Sequence, residues 1–163
     1  MHNNLTIEEN WLNLKRNCDY YFSRIIDYPL CPPEHVYFCL TSRCNLKCKM
    51  CTVWHSPNRE EDELNIEESK KIIDQIADLK INHLIFSGGE PLLRKDIFGL
   101  IAYAIDKKIK MVDVITNGLL IDERVAQKLV NLNLNHVTIS IDGLEETNDF
   151  IRGKGSFQKA IEA

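Results

Sequence analysis

Three observations predict an α/β fold built from a parallel βα repeat. Short apolar runs at residues 35–41, 83–86, 110–116 and 136–141 alternate with segments of helical periodicity. The last three runs recur at roughly 25 to 30 residues, the length of one strand plus one crossover helix. Each run also stops at small or polar residues, so that residues 44–51, residues 88–90, Asn117 and Asp142 all fall just past a strand's C-terminal end. That is where parallel α/β sheets and barrels gather ligands.

The elements follow in order. Residues 7–28 carry Trp11, Leu12, Leu14, Tyr21, Phe22, Ile25 and Ile26 in an imperfect helical stripe. Pro29, Pro32 and Pro33 forbid further helix and predict an extended linker. Residues 1–34 are therefore read as an N-terminal helical segment with a Pro-rich linker, and residues 35–163 as the core. After the first strand and its cysteine loop, the polar residues 56–63 predict a solvated loop with an acidic surface run. Asn65 and Glu68 have the spacing of a helix N-cap and the residue that bonds back to it, ahead of Ile66, Ile72, Ile73, Ile76 and Leu79 at helical intervals. A helix with Ile97, Ile101, Ala104 and Ile105 on one side follows the second strand. Asp122 caps another, carrying Val125, Leu129 and Leu132, and a further helix opens at Ser156.

Composition excludes several classes. With 163 residues, 44% hydrophobic and 27% charged, the chain can bury a sizeable core. A net charge of −4 without a dense Lys/Arg cluster argues against general nucleic-acid binding or a membrane-surface role. No apolar stretch approaches the roughly 18 residues needed to span a bilayer, and residues 1–4 lack a basic region followed by an apolar one. The expected location is cytoplasmic.

Cys44, Cys48 and Cys51 place three thiols within one short loop directly after a strand. Soft thiolates select zinc, Cu(I) or iron–sulfur clusters, and three of them leave one iron of a four-iron cluster without a protein ligand, whereas electron carriers normally have four cysteines. With His55 the same cysteines also form a local Cys3His set of the kind zinc accepts. Cys18, Cys31 and Cys39 are scattered and read as structural, Cys39 as a small buried hydrophobe within the first strand.

The ordered set is Cys-x3-Cys-x2-Cys after the first strand, Gly88, Gly89, Glu90 and Pro91 after the second, Thr116, Asn117 and Gly118 at the third, and Ser140 to Gly143 at the fourth. It resembles the radical S-adenosylmethionine (radical SAM) superfamily over roughly residues 36–163. The resemblance implies the N-terminal part of a partial TIM-type barrel, with four strands present here. It implies a [4Fe-4S] cluster on Cys44, Cys48 and Cys51, with SAM chelating the open iron. Reductive cleavage of SAM would then give a 5′-deoxyadenosyl radical that abstracts hydrogen from a substrate, chemistry that belongs to the cofactors. Gly88 and Gly89 would let backbone approach the methionyl part of SAM, and Glu90 would face its ammonium. Ser140 and Asp142 would bond the ribose, Asn117 would add a polar contact, Arg152 would face the carboxylate and Met50 the adenine. An electron donor such as flavodoxin or ferredoxin is implied. Residues 140–153 most resemble members with a C-terminal auxiliary-cluster domain that modify peptides or proteins, which suggests such a substrate.

Plainer roles stand beside these. Gly88 and Gly89 make a common turn after a strand, as do Thr116 to Gly118. Asp142 fits a turn or cap, Arg152 a surface ion pair, and Met50 the core. Relatives of this family close six strands, so the sequence reads as cut before the fifth and sixth. It is therefore either an enzyme's core or a non-catalytic piece that only binds cluster and SAM.

Overall fold

A computed structural model describes residues 6–55 and 60–163, apart from the side chains of residues 7–9. Residues 56–59 of the expected acidic loop lie outside the described residues. The chain divides into two compact units, Met1–Pro33 and Glu34–Ala163. In the first, α1 (Ile7–Ile26) bears the expected apolar residues, all of them exposed. The linker does not simply run on in extended form. Tyr20 Oη donates to the Pro32 carbonyl at 3.0 Å, and Leu30 N–H donates to Ser23 Oγ at 2.9 Å, drawing residues 30–32 back onto α1.

In the second unit, β1 (His35–Cys39), β2 (His83–Ser87), β3 (Met111–Thr116) and β4 (His136–Ile139) form one parallel sheet in the order of the sequence. The register aligns Cys39 with Ser87, Phe86 with Val114 and Thr116 with Ile139, so the loops after the strands start close to one level. Helices α2 (Ile66–Asp78), α3 (Ile97–Asp106) and α4 (Glu123–Asn131) connect successive strands. After β4 come α5 (Glu145–Arg152) and α6 (Ser156–Glu162). No helix among the described residues is long and apolar enough to cross a membrane.

The local signals explain the elements. Asn65 Oδ1 accepts from the backbone of Glu67 and Glu68 at 3.0 Å, while Glu68 accepts from Asn65 N–H at 2.8 Å, a complete capping box worth about 1 kcal/mol. Asp122 Oδ1 accepts from Val125 N–H at 2.8 Å and starts α4 in the same way. Lys80, Lys108 and Asn133, all at positive φ, let the chain leave α2, α3 and α4 sharply. One face of the sheet then buries Phe38, Leu84, Phe86, Val112 and Val114 against Ile73, Ile76, Ile97, Leu100 and Ile101. Each such side chain contributes about 1.5–3 kcal/mol on burial.

Alternation along the strands puts His35, Tyr37, Cys39, His83 and Asp113 on the other face. Cys39 is consequently exposed, not the buried hydrophobe its apolar surroundings suggested. Asp113 accepts hydrogen bonds from His83 at 2.6 Å and His136 at 3.2 Å on that face.

Candidate functional site

The cysteine loop is held to the next strand's loop by backbone pairing that runs past the ends of β1 and β2. Leu40 N–H donates to Ser87 O at 3.0 Å, Gly89 N–H to Thr41 O at 2.7 Å, and Glu90 N–H to Arg43 O at 2.8 Å. This zipper dictates the two glycines. A Cβ on Gly89 would lie 2.2 Å from the Arg43 carbonyl oxygen, and one on Gly88, whose φ is +141°, would lie 2.3 Å from that of Thr41. Both distances are far inside contact, so any side chain would push the cysteine loop off the sheet.

Cys44, Cys48 and Cys51 open onto one cavity with Gly88 and Gly89. Asn117, Ser140 and Arg152 bring the third and fourth loops to the same cavity, and Met50 stands at its rim, 61% exposed. Asn117 Nδ2 donates to Asn45 Oδ1 at 2.7 Å and approaches Cys44 Sγ at 3.9 Å. Burial pushes the Cys44 and Cys48 thiols above their ordinary range, so a bound metal must displace their protons.

Two expected site residues are placed differently. Glu90 is fully buried and does not line the cavity. Its carboxylate accepts from Thr116 Oγ1 at 2.7 Å, Asn117 N–H at 2.8 Å and Leu92 N–H at 3.1 Å. Burial pushes its pKa up, and those three donors oppose the shift. Asp142 is also absent from the lining and pairs with Arg152 Nε at 2.5 Å. In both cases donors of this chain bond the carboxylate.

Other participants escaped the sequence reading. Leu46, Trp54, Ser87, Ile115 and Thr116 also line the cavity, and of these Leu46 and Thr116 stood inside quoted motifs without being assigned a role. The expected surface character of the acidic run fails at Glu63. Its carboxylate takes Arg43 through two bonds of 2.7 and 3.0 Å and accepts the Thr41 hydroxyl, and Arg43 also reaches Glu60 at 3.4 Å. Arg94, itself buried, donates to the carbonyls of Leu40 and Leu64 at 3.2 and 2.8 Å and pairs with Asp96. The start of the cysteine loop is thus clamped from two sides. At its far end Lys49 N–H donates to Ile151 O at 2.9 Å, and the Lys49 ammonium sits 3.2 Å from the Phe150 ring centroid. Helix α5, which supplies these partners, was not predicted, although Glu145 and Glu146 in its first turn, Arg152 in its last and Gly153 after it are helix signals.

Three thiols lining one cavity fit a four-iron cluster. Among the described residues no three His, Cys, Asp or Glu side chains are grouped so as to hold one metal ion. A four-iron cluster makes no such demand, because each thiolate binds a different iron. His55, the fourth member of the Cys3His alternative, stacks on Trp54 at 3.6 Å and does not line the cavity.

Four strand-end loops, the first of them carrying three cysteines, meet at one cavity, and the chain belongs to the radical SAM superfamily, whose model matches residues 38–163. Members of this family are enzymes that use a [4Fe-4S] cluster and SAM. The chain is similar to the Fe-coproporphyrin III synthase of Methanosarcina barkeri, with 46% identity over 123 residues that make up 75% of this chain and 31% of that protein. It is 38% identical to the mycofactocin maturase MftC of Mycolicibacterium smegmatis over 143 residues, 87% of this chain and 35% of that one. Native anSMEcpe, solved with bound AdoMet and Kp18Cys peptide, superposes with a TM-score of 0.65 at 28% identity, covering 80% of this chain and 39% of that one. The chain spans about a third of the length of the curated relatives it matches.

Proposed function

We propose that this protein is the core of an enzyme that binds a [4Fe-4S] cluster through Cys44, Cys48 and Cys51 and cleaves SAM reductively to act on a peptide or protein. The observation that carries this reading is the convergence of the three cysteines with Gly88, Gly89, Asn117, Ser140 and Arg152 on one cavity. When bound, the cluster and SAM supply electron transfer into the sulfonium C–S bond and hydrogen abstraction from a substrate. The chain's own part is to hold and shield them. Arg152, kept on the cavity wall by Asp142, offers a cation for the SAM carboxylate. Ser140 and Asn117 offer hydrogen bonds at the third and fourth loops, and Met50 an apolar edge for the adenine. A small reduced redox protein such as flavodoxin or ferredoxin supplies the electron.

A peptide substrate is supported by the similarity to a maturase and to an enzyme solved with a peptide. An iron tetrapyrrole is the second reading, favoured by the 46% identity to a coproporphyrin synthase. Anaerobic reconstitution with iron and sulfide tests the core of the proposal. About four irons per chain and 5′-deoxyadenosine formed from SAM under strong reductant are expected. Stoichiometric zinc without SAM cleavage would replace it with a structural zinc module. Titration of iron coproporphyrin into the loaded protein separates the substrates, since a saturable change in the porphyrin absorbance favours the second reading.

A further inference from the structure

Among the described residues Glu90 is the one charged side chain with no exposed surface, and the chemistry proposed above does not use it. Its position is nonetheless specific. It follows the two glycines that pair with the cysteine loop, so its backbone N–H is tied to Arg43, the residue before Cys44, at 2.8 Å. Its carboxylate crosses to the next loop. Oε1 receives the Thr116 hydroxyl and Oε2 the Asn117 N–H, while Leu92 N–H completes the set from Glu90's own turn. Asn117, so fixed, uses both ends of its amide. Its Oδ1 accepts from Leu119 N–H at 2.9 Å, and its Nδ2 reaches back to Asn45 Oδ1 at 2.7 Å and Cys44 Sγ at 3.9 Å.

We infer that Glu90 is a positioning residue, a buried joint that locks the third-strand loop to the second and, through Asn117, fixes Asn45 and the Cys44 thiol. The geometry gives a closed ring: Arg43, Glu90, Asn117, Asn45 and back along the chain. A ring of this kind holds Cys44 at a set distance from the sheet in the protein without metal, and three donors of this chain already occupy the carboxylate. Charge suits the task. A carboxylate accepts in every direction, whereas an amide in the same place must turn a donor toward either Asn117 N–H at Oε2 or Leu92 N–H at Oε1, and a backbone N–H cannot reverse its role.

The inference rests on the reading of Cys44 as a cluster ligand, but its test does not. The metal-free protein is compared with Glu90→Gln and Asn117→Ala by amide hydrogen exchange, and by the alkylation rate of Cys44 relative to Cys51. Glu90→Gln is expected to speed exchange at residues 116–118 and to raise the relative Cys44 alkylation rate, each by roughly tenfold or more, while amides in β2 and α3 keep their wild-type rates. Asn117→Ala is expected to raise the Cys44 rate and leave the residue 117 amide protected, because Glu90 still holds it. In iron-loaded protein both variants should alter the paramagnetic resonance line shape before any SAM is added. Unchanged exchange at residues 116–118 in Glu90→Gln overturns the inference, and a weakened SAM affinity as its sole effect assigns Glu90 to SAM directly. Should Glu90→Gln fail to fold, Asn117→Ala decides alone, and a wild-type Cys44 rate in that variant overturns the joint. Wild type that takes up no iron, with the exchange pattern as expected, overturns the cluster reading and leaves the joint standing.

Discussion

Replacing Glu63 by Gln perturbs the clamp at the base of the cysteine loop without changing its volume. In the wild type the carboxylate is about 10% exposed and holds the Arg43 guanidinium by two bonds, with the Thr41 hydroxyl as a third donor. Gln keeps one acceptor oxygen, so one charge-assisted bond is lost and Arg43 keeps a partly buried cation with weaker compensation. A hydrogen bond to a charged group contributes about 1.5–3 kcal/mol, and the leftover guanidinium, 24% exposed, is screened enough to keep the total near about 2–3 kcal/mol. For a domain of this size that corresponds to a Tm lower by about 4–12 °C. The sign with pH is fixed by the same bonds. Burial alone would raise the Glu63 pKa, but Arg43 and Thr41 outweigh it and hold the carboxyl below its usual range. Its contribution is therefore fully present above the unfolded-state value of about 4.3 and is lost as pH falls through the lower folded value. Thermal unfolding of metal-free wild type and Glu63→Gln from pH 7 down to pH 3 checks this, and the gap between the two Tm values should close at the acid end. Equal Tm values at pH 7 would refute the clamp and return Glu63 to an ordinary surface role.

The other expectations concern the cysteine loop and its neighbours. Cys48→Ala should abolish iron retention, because two thiolates do not hold a cluster firmly, whereas His55→Ala should leave iron per chain unchanged; metal analysis after desalting reads both. Gly89→Ala forces a Cβ to within 2.2 Å of the Arg43 oxygen, and overpacking against backbone should cost about 3 kcal/mol or more, seen in denaturant unfolding. Asn148 is fully buried, accepting from Asp142 N–H at 3.0 Å and donating to Ser156 Oγ at 2.9 Å. Asn148→Ala should cost about 2–3 kcal/mol in the same measurement and weaken SAM binding by freeing the Asp142 and Arg152 loop.

What the sequence conveyed follows the range of the forces involved. The capped helices were legible because Asn65 with Glu68, and Asp122 with Val125, act within one turn. The parallel sheet was legible because Leu84 to Phe86 is too short and too apolar for anything but a buried strand, and because similar runs recur between helical segments. Cys39 misled because a run of apolar residues does not say which of its two faces is covered. Glu63 misled because its partner, Arg43, lies twenty residues upstream, and the protein partners of Glu90 and Asp142 were not legible because their donors come largely from other loops or from the end of a helix that lacked a side-chain cap at Leu144. At Gly88 and Gly89 the structure gives a reason that the sequence did not, since the nearest thing their missing side chains make room for is the cysteine loop itself.

Paramagnetic resonance of the anaerobically reconstituted and reduced protein, before and after SAM is added, tests the central claim most directly. A cluster held by three cysteines has one iron open to SAM, so the account predicts the signal of a reduced [4Fe-4S] cluster whose line shape changes when SAM binds. A cluster signal indifferent to SAM, or no cluster signal in protein that has retained zinc, would contradict it.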